Sequence, residues 1–267
     1  MLGATVRGGV NSDLDSVEPR RLWAKIEYDG TDFYGFQSQA AERTVQAEIE
    51  RALEVVTADK RRVAGAGRTD RGVHARGQIV SFEVEWRHEL TDLQRALNAV
   101  LAADVAVLEM GVAPEGFHPR FSALRRSYRY TVLNRPWRSP LRRHTAWHVA
   151  RKLDVGPMAE ASRCLVGTHD FVTFGQPPEG ENTIRTVFQA EWHAVGPRLI
   201  FDIEANAFLY RMVRSIVGTL VRVGWGQISP GQFAAMLQAR DRSLIKKVAP
   251  AHGLCLMRVE YAAREGV

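Results

Sequence analysis

One carboxylate, Asp70, stands among basic residues and glycines in the stretch GAGRTDRGVHARG. Guanidinium groups such as those of Arg68 and Arg71 can hold a neighbouring carboxylate charged and in one orientation through hydrogen bonds. A carboxylate held in this way can act as a nucleophile or a general base. Taken alone, the loop is more typical of a tight turn that Asp70 caps, with solvated arginines on either side.

The elements around the loop must position Asp70. Alternating apolar residues predict strands on both sides, at 62–67 and 78–86, so Asp70 would lie at the end of a sheet. Four glycines permit positive φ and close approach of another backbone. A nucleic-acid backbone is one candidate for that approach. The glycines are Gly65, Gly67, Gly72 and Gly77.

The first half of the chain has the element order strand, helix, strand, strand, helix, strand. Periodicity predicts these elements at 22–29, 44–56, 62–67, 78–86, 91–101 and 105–110. Thr44 is a candidate helix N-cap, and Thr91 with Gln94 has the spacing of a capping box. This order is that of a ferredoxin-like unit.

The second half repeats the order. Strands are predicted at 127–133, 186–194, 199–205 and 254–261, and helices at 158–165, 208–223 and after Ser229, which starts a second capping box with Gln232. The expected fold is therefore α+β, with two ferredoxin-like (RRM-like) βαββαβ lobes whose mixed or antiparallel sheets flank a central basic cleft. The expected divisions are a disordered tail at 1–20, a lobe with the Asp70 loop at 21–115, and a second lobe at 116–267.

The composition is that of a soluble globular protein, with 45% hydrophobic and 25% charged residues among 267. No apolar run approaches the ~20 residues that a membrane helix needs, and no secretory signal is expected. Only two cysteines occur, Cys164 and Cys255, each within an apolar pattern. This indicates a reducing, cytoplasmic setting and neither a disulfide framework nor a thiolate metal site.

Positive charge is concentrated in one segment. The net charge is +6, and the residues between Glu115 and Asp154 include ten basic side chains and no acidic one, with Trp137 and Trp147 among them. Arginines interleaved with aromatic residues are typical of surfaces that bind phosphates and stack on bases. The alternative is an ordinary basic linker.

No pattern indicates a metal or cofactor. The chain has no Cys/His cluster, no GxGxxG and no Walker loop. His144 and His148 have the i, i+4 spacing of a helical metal pair, but the HExxH glutamate is missing. We therefore expect a structural role for these two histidines.

Several motifs together resemble one family. The stretch GRTDRGVHARGQ resembles the catalytic motif of the TruA family of tRNA pseudouridine synthases, and the resemblance covers about residues 21–262. The other similar stretches, in the family's order, are YDGTDFYGFQSQ, RTVQAEIERAL, GFHPRFSALRRSYRY, GTHDFVTF, NAFLYRMVRSIVG and APAHGLCL. Two residues depart from the family pattern. Phe36 stands where tryptophan is usual, and Arg71 where a small residue is usual.

The resemblance implies an active site and a reaction. By position in the motifs, Asp70 is the catalytic nucleophile, Tyr128 lies against the target base, and Arg214 pairs with Asp70. The implied reaction converts uridine to pseudouridine at positions 38–40 of the tRNA anticodon stem-loop, without a cofactor or metal. The family also implies a homodimer.

The expected RNA-binding residues follow from the same loop, the basic segment and the helix of Arg214. They are Arg68, Arg71, His74, Gln78, Arg120, Phe121, Arg125, Arg126, Arg142, Arg143 and Arg211. Arg68 is expected to fill the gap that a flipped-out base leaves. The alternative function is a non-catalytic, RRM-like RNA-binding protein, although no RNP1-type string occurs.

Overall fold

The computed structural model describes residues 18–177 and 180–262, which form ten strands and five α-helices. The strands are β1 Arg20–Tyr28, β2 Ala64–Gly65, β3 His74–Val84, β4 Val105–Val112, β5 Ala123–Asn134, β6 Trp147–Val149, β7 Gly167–Asp170, β8 Ile184–Val195, β9 Arg198–Ala205 and β10 Leu254–Tyr261. The helices are α1 Val45–Thr57, α2 Leu90–Val100, α3 Val155–Arg163, α4 Met212–Gly224 and α5 Pro230–Gln238. The fold is α+β, as predicted.

All ten strands belong to one mostly antiparallel sheet, in the order β4-β1-β3-β10-β5-β9-β8-β7, with β2 on β3 and β6 on β5. The sequence predicted a separate sheet for each half. The two halves instead join where β10 pairs in parallel with the start of β3, through His74 and Ala75. Periodicity reports which strands exist but not their neighbours, so this join was not foreseen.

The five helices share the main core with one face of the sheet. Alternate residues of β1, such as Leu22 and Ile26, pack in one cluster with Leu53 of α1 and Leu220 of α4. The opposite face, here called the outer face, carries a small apolar cluster that includes Trp23. It also carries cross-strand ion pairs, for example Lys25 with Glu109 at 2.9 Å and Arg129 with Asp202 at 2.8 Å.

Helix starts follow local sequence signals in two of the three predicted cases. The side chain of Thr44 caps α1, and Ser229 and Gln232 form the predicted capping box of α5. The prediction of a capping box at Thr91 is wrong. The helix starts one residue earlier, and the Gln94 side chain donates instead to the carbonyls of Val107 and Leu108 in β4.

The predicted tail at 1–20 lies almost wholly outside the described residues, except that β1 already begins at Arg20. No helix in the described ranges is long and apolar enough to cross a membrane.

Helix α4 packs unusually close to the segment before β10. A Cβ on Gly218 would lie 2.3 Å from the carbonyl oxygen of Lys247. The amide of Ala249 donates to the carbonyl of Arg214 at 2.9 Å. The absence of a side chain at Gly218 therefore sets the distance between α4 and this segment.

We expect Gly218→Ala to destabilise the fold by about 1–3 kcal/mol, because the added methyl overlaps backbone that has no room to move. Gly231→Ala is the matched control. Its Cβ has no neighbour nearer than 3.8 Å, and alanine favours a helix. Denaturant midpoints of the two variants test this, and equal midpoints would contradict it.

Candidate active site

The Asp70 loop joins β2 to β3 and is fixed by buried hydrogen bonds. The hydroxyls of Thr69 and Tyr28 lie 2.7 Å apart, and both residues are buried. The amide of Phe36 donates to the carbonyl of Thr69 at 3.1 Å, and that of Val73 to the carbonyl of Asp70. Asp70 therefore projects from a loop held by a separate strand and a separate turn.

Two residues predicted to bind RNA instead brace this loop. The side chain of Gln78 is fully buried, donates to the carbonyl of Gly67 at 2.6 Å and accepts from its amide. His74 is buried as well, with Nδ1 accepting from the amide of Gly30 and Nε2 lying 2.6 Å from the carbonyl of His144. Burial keeps both side chains away from a bound RNA, so the RNA-binding prediction is corrected for them.

Two of the four loop glycines, Gly65 and Gly77, serve packing within the protein. A Cβ on Gly65 would lie 2.4 Å from the ring of Phe36, and one on Gly77 would lie 2.6 Å from the carbonyl of Met257 in β10. Only Gly72 of the four has positive φ, at 77°. At Gly65 and Gly77 the chain's own elements therefore fill the space where an RNA backbone was expected to approach. At Gly67 the nearest atom to such a Cβ is the Tyr128 hydroxyl oxygen, 3.7 Å away.

Asp70 forms an ion pair with Arg214. Nη1 of Arg214 donates to Oδ2 of Asp70 at 2.7 Å, and both side chains are largely buried, at 15% and 17% exposed. Nε of Arg214 donates to the carbonyl of Ala249 at 2.8 Å, which fixes the guanidinium. Within the described chain Oδ1 of Asp70 accepts no hydrogen bond. One carboxylate oxygen is therefore held while the other is available to a ligand.

Tyr128 of β5 lines the same cavity and is 8% exposed. Its ring meets that of Phe208 edge-on, with centroids 5.0 Å apart. Burial raises the pKa of the Tyr128 phenol well above its usual value; the charge of Arg126 opposes this shift and that of Asp70 adds to it. The hydroxyl therefore stays protonated near neutral pH, so Tyr128 offers a neutral ring and no phenolate base.

The cavity around Asp70 has a volume of about 880 Å³ and an unusual charge distribution. Asp70 is the only acidic residue among the lining side chains that the structure describes. The lining arginines are Arg68, Arg71, Arg120, Arg126, Arg185, Arg211 and Arg214. A cavity of this kind suits a polyanionic ligand that presents one reactive group to one carboxylate.

Arg126 lines the cavity, but four of its five N–H donors are directed to backbone carbonyls. The residue is buried, and its guanidinium donates to the carbonyls of Ala66, Arg120, Ala123 and Asn206. Burial also lowers the pKa of this guanidinium. Arg126 therefore ties the start of β5 to the Asp70 loop, and the predicted phosphate contact is corrected.

Other predicted RNA-binding residues lie away from the cavity. Arg125 is on the outer face, paired with Glu204 at 2.9 Å. Phe121 is 74% exposed and does not line the cavity. Arg142 and Arg143 are exposed on the connection between β5 and β6. The structure thus separates these four from the residues around Asp70.

Several lining residues were not predicted. Arg185 of β8 belongs to none of the motifs, so nothing in the sequence indicated its place in the cavity. Tyr34 is 38% exposed, and the Arg71 guanidinium lies 3.9 Å from its ring centre. For Tyr34 and Phe208 a signal was available, because both are aromatic residues within the family-like stretches and exposed rings suit base contacts.

Arg211 has a strained backbone next to the ion pair. It is the N-cap of α4 with φ of 62° and makes no side-chain cap. Left-handed φ costs a non-glycine residue about 1–2 kcal/mol, and a positive charge at a helix N-terminus is unfavourable. Its side chain lines the cavity, 4.9 Å from the ring centre of Tyr210. Such strain is typical of a functional position.

Comparison with known proteins identifies the class. The family model described as tRNA pseudouridine synthase matches residues 24–122 and 161–262. The chain belongs to the tRNA pseudouridine synthase family.

Individual relatives agree with this assignment and carry one name, tRNA pseudouridine synthase A. The protein of that name from Roseiflexus sp. (strain RS-1) is 44% identical over 248 residues, which cover 91% of each chain. The one from Bacillus subtilis (strain 168) is 42% identical over 244 residues, which cover 90% of this chain and 99% of the relative. The one from Chloroflexus aurantiacus (strain ATCC 29366) is 45% identical over 250 residues, covering 91% and 89%.

We expect Arg211→Asn to stabilise the fold by about 1 kcal/mol, since asparagine tolerates left-handed φ and can cap a helix. The same variant should bind tRNA more weakly. Ala58→Gly is the control, because Ala58 also has positive φ, at 57°, but ends α1 away from the cavity. It should gain stability and keep its affinity. Thermal melts and filter binding measure both, and unchanged tRNA binding by Arg211→Asn would contradict the role of this side chain.

Proposed function

We propose that this protein isomerises uridine to pseudouridine in tRNA, with Asp70 as the reacting carboxylate. The observation that carries the proposal is the ion pair between Asp70 and Arg214. It places one oriented carboxylate in a cavity otherwise lined by arginines. Family membership supports the same reaction.

The reaction breaks the bond between C1′ of ribose and N1 of uracil, turns the base, and joins C1′ to C5. The C5 proton is lost and N1 gains one, so no atom is gained or lost overall. Asp70 can attack C6 of uracil or C1′ of ribose, or assist elimination to a glycal. Each route uses a carboxylate that is charged and fixed in position. The hydrogen bond from Arg214 supplies that orientation, and the carboxylate's other oxygen is left for the reaction.

The target uridine must leave its stack before it can reach Asp70, which costs a few kcal/mol. Contact of the base with the neutral ring of Tyr128 offsets about 1–3 kcal/mol of that cost. Arg68 also lines the cavity, two residues from Asp70. We infer that Arg68 occupies the space that the flipped base leaves, while Arg71, Arg120 and Arg211 meet the phosphates.

The target positions, the assembly and the cellular setting follow from the family resemblance. They are positions 38–40 of the anticodon stem-loop, a homodimer, and action in the cytoplasm without metal or cofactor. The free thiols of Cys164 and Cys255 are consistent with a reducing compartment.

We also infer that each half is a ferredoxin-like unit, divided near residue 115. In the first half the strand order is β4-β1-β3-β2, and in the second it is β10-β5-β9-β8. When the short strands β6 and β7 are left out, each order corresponds to the fourth, first, third and second strand of its unit. Both units line the cavity, the first through the loops that hold Tyr34 and Asp70, the second largely through residues 207–214.

The alternative function, an RRM-like binding protein, requires aromatic rings exposed on an open sheet face. The outer face carries cross-strand ion pairs instead, and Tyr128 and Tyr130 are buried on the helix side. These observations favour the catalytic proposal.

Asp70→Asn should retain tRNA binding and lose pseudouridine formation, because the amide has no negative charge to attack or remove a proton. Asp202→Asn is the matched control. Asp202 also accepts from an arginine, Arg129, but on the outer face. It should keep full activity. Mapping the C–C glycosidic linkage in unmodified tRNA after incubation measures both, and equal product from Asp70→Asn and wild type would refute the proposal.

Arg68→Ala should lower the single-turnover rate and tRNA affinity about tenfold or more, because nothing then occupies the vacated stack. Arg95→Ala is the control, since Arg95 is exposed on α2 and pairs with Asp92. Unchanged rate and affinity in Arg68→Ala would show that the assignment to Arg68 is wrong.

A further inference from the structure

The connection between β5 and β6 contains a protruding turn, residues 135–143, here called the Trp137 turn. Its sequence is RPWRSPLRR. The turn includes a short 3-10 helix, Pro140–Arg142, and none of its residues lines the cavity of Asp70. It is therefore a surface distinct from the proposed active site.

The turn is braced from within. Nε of Arg135 donates to the carbonyl of Trp137 at 2.8 Å, and Nε2 of His148 lies 2.8 Å from the carbonyl of Arg135. Two prolines, Pro136 and Pro140, restrict the backbone further. A braced turn loses little conformational entropy when a partner binds.

Two large apolar side chains project from the braced turn. Trp137 is 81% exposed and Leu141 is 95% exposed. The other tryptophans that the structure describes are far less accessible; Trp147, for example, is 8% exposed. A rigid, exposed indole beside a shallow groove is suited to stacking on a flat partner.

The charge around Trp137 is uncompensated. Arg138, Arg142 and Arg143 are exposed, and no described carboxylate lies within 4 Å of their guanidinium groups. Several arginines on the sheet and helices are paired, as Arg129 is with Asp202 and Arg51 with Glu48. The turn therefore presents unpaired positive charge together with an aromatic ring.

We propose that the Trp137 turn binds an unpaired nucleotide of tRNA outside the stem-loop that enters the cavity. The indole of Trp137 stacks on the base, and Arg138, Arg142 and Arg143 contact the flanking phosphates. This inference rests on the proposed function, since it takes tRNA as the ligand. A second copy of the chain fits less well, because a two-fold contact through the turn would bring like charges together.

The test compares two RNAs, full-length tRNA and its isolated anticodon stem-loop. Trp137→Ala should weaken binding of full-length tRNA about tenfold, because the base then has no ring to stack on, and should leave stem-loop binding unchanged. Trp137→Phe should restore much of the affinity. Replacing Arg142 and Arg143 by alanine should make the negative slope of log affinity against log salt shallower by about 0.7–0.9 for each phosphate that is no longer neutralised.

Three outcomes would overturn the inference. The first is unchanged affinity of Trp137→Ala for full-length tRNA, and the second is an equal loss of its affinity for both RNAs. The third is a difference in sedimentation mass between Trp137→Ala and the wild-type protein without RNA, which would indicate a contact between copies. Pseudouridine formation by the wild-type protein is assayed in parallel. Product from wild type with any of these outcomes removes only the inference, whereas absent product removes the proposed function.

Discussion

The ion pair between Asp70 and Arg214 is the constraint on which the rest of the structure depends. Its two members are separated by 144 positions in sequence and come from different halves of the chain. A shift of either half by about 1 Å would break a 2.7 Å hydrogen bond. The sheet that runs through both halves, with β10 between β3 and β5, keeps the two side chains in register.

Several close backbone contacts support that geometry. Gly218 lets α4 approach the segment that accepts from Arg214, and Gly77 lets β3 approach β10. At both positions a methyl group would meet a carbonyl oxygen. This packing removes carbonyls of the loop from water. The buried side chains of Gln78 and Arg126 donate hydrogen bonds to these carbonyls. Residues that look like RNA ligands in the sequence thus serve to keep the Asp70 loop rigid.

Local patterns predicted what local physics decides. The strand at 254–261 and the capping box at Ser229 are confirmed, because each depends on neighbours in sequence. Local patterns could not show which arginines of the basic segment are neutralised by carboxylates elsewhere in the chain. Arg125 and Arg129 are neutralised by Glu204 and Asp202 of β9, which lie 79 and 73 positions away. The predicted capping box at Thr91 is wrong for the same reason, a contact that is distant in sequence. The Gln94 side chain donates to a carbonyl of β4 instead of closing the box.

The position of β10 has a consequence for synthesis of the chain. This strand is the last that the structure describes, yet it lies at the centre of the sheet and contacts both halves. A nascent chain that has been made only as far as β9 therefore lacks the strand that joins β3 to β5, as well as the segment that braces Arg214. The first half can form its own strands and helices early. The pocket around Asp70, however, is complete only after β10 and the segment before it have been made.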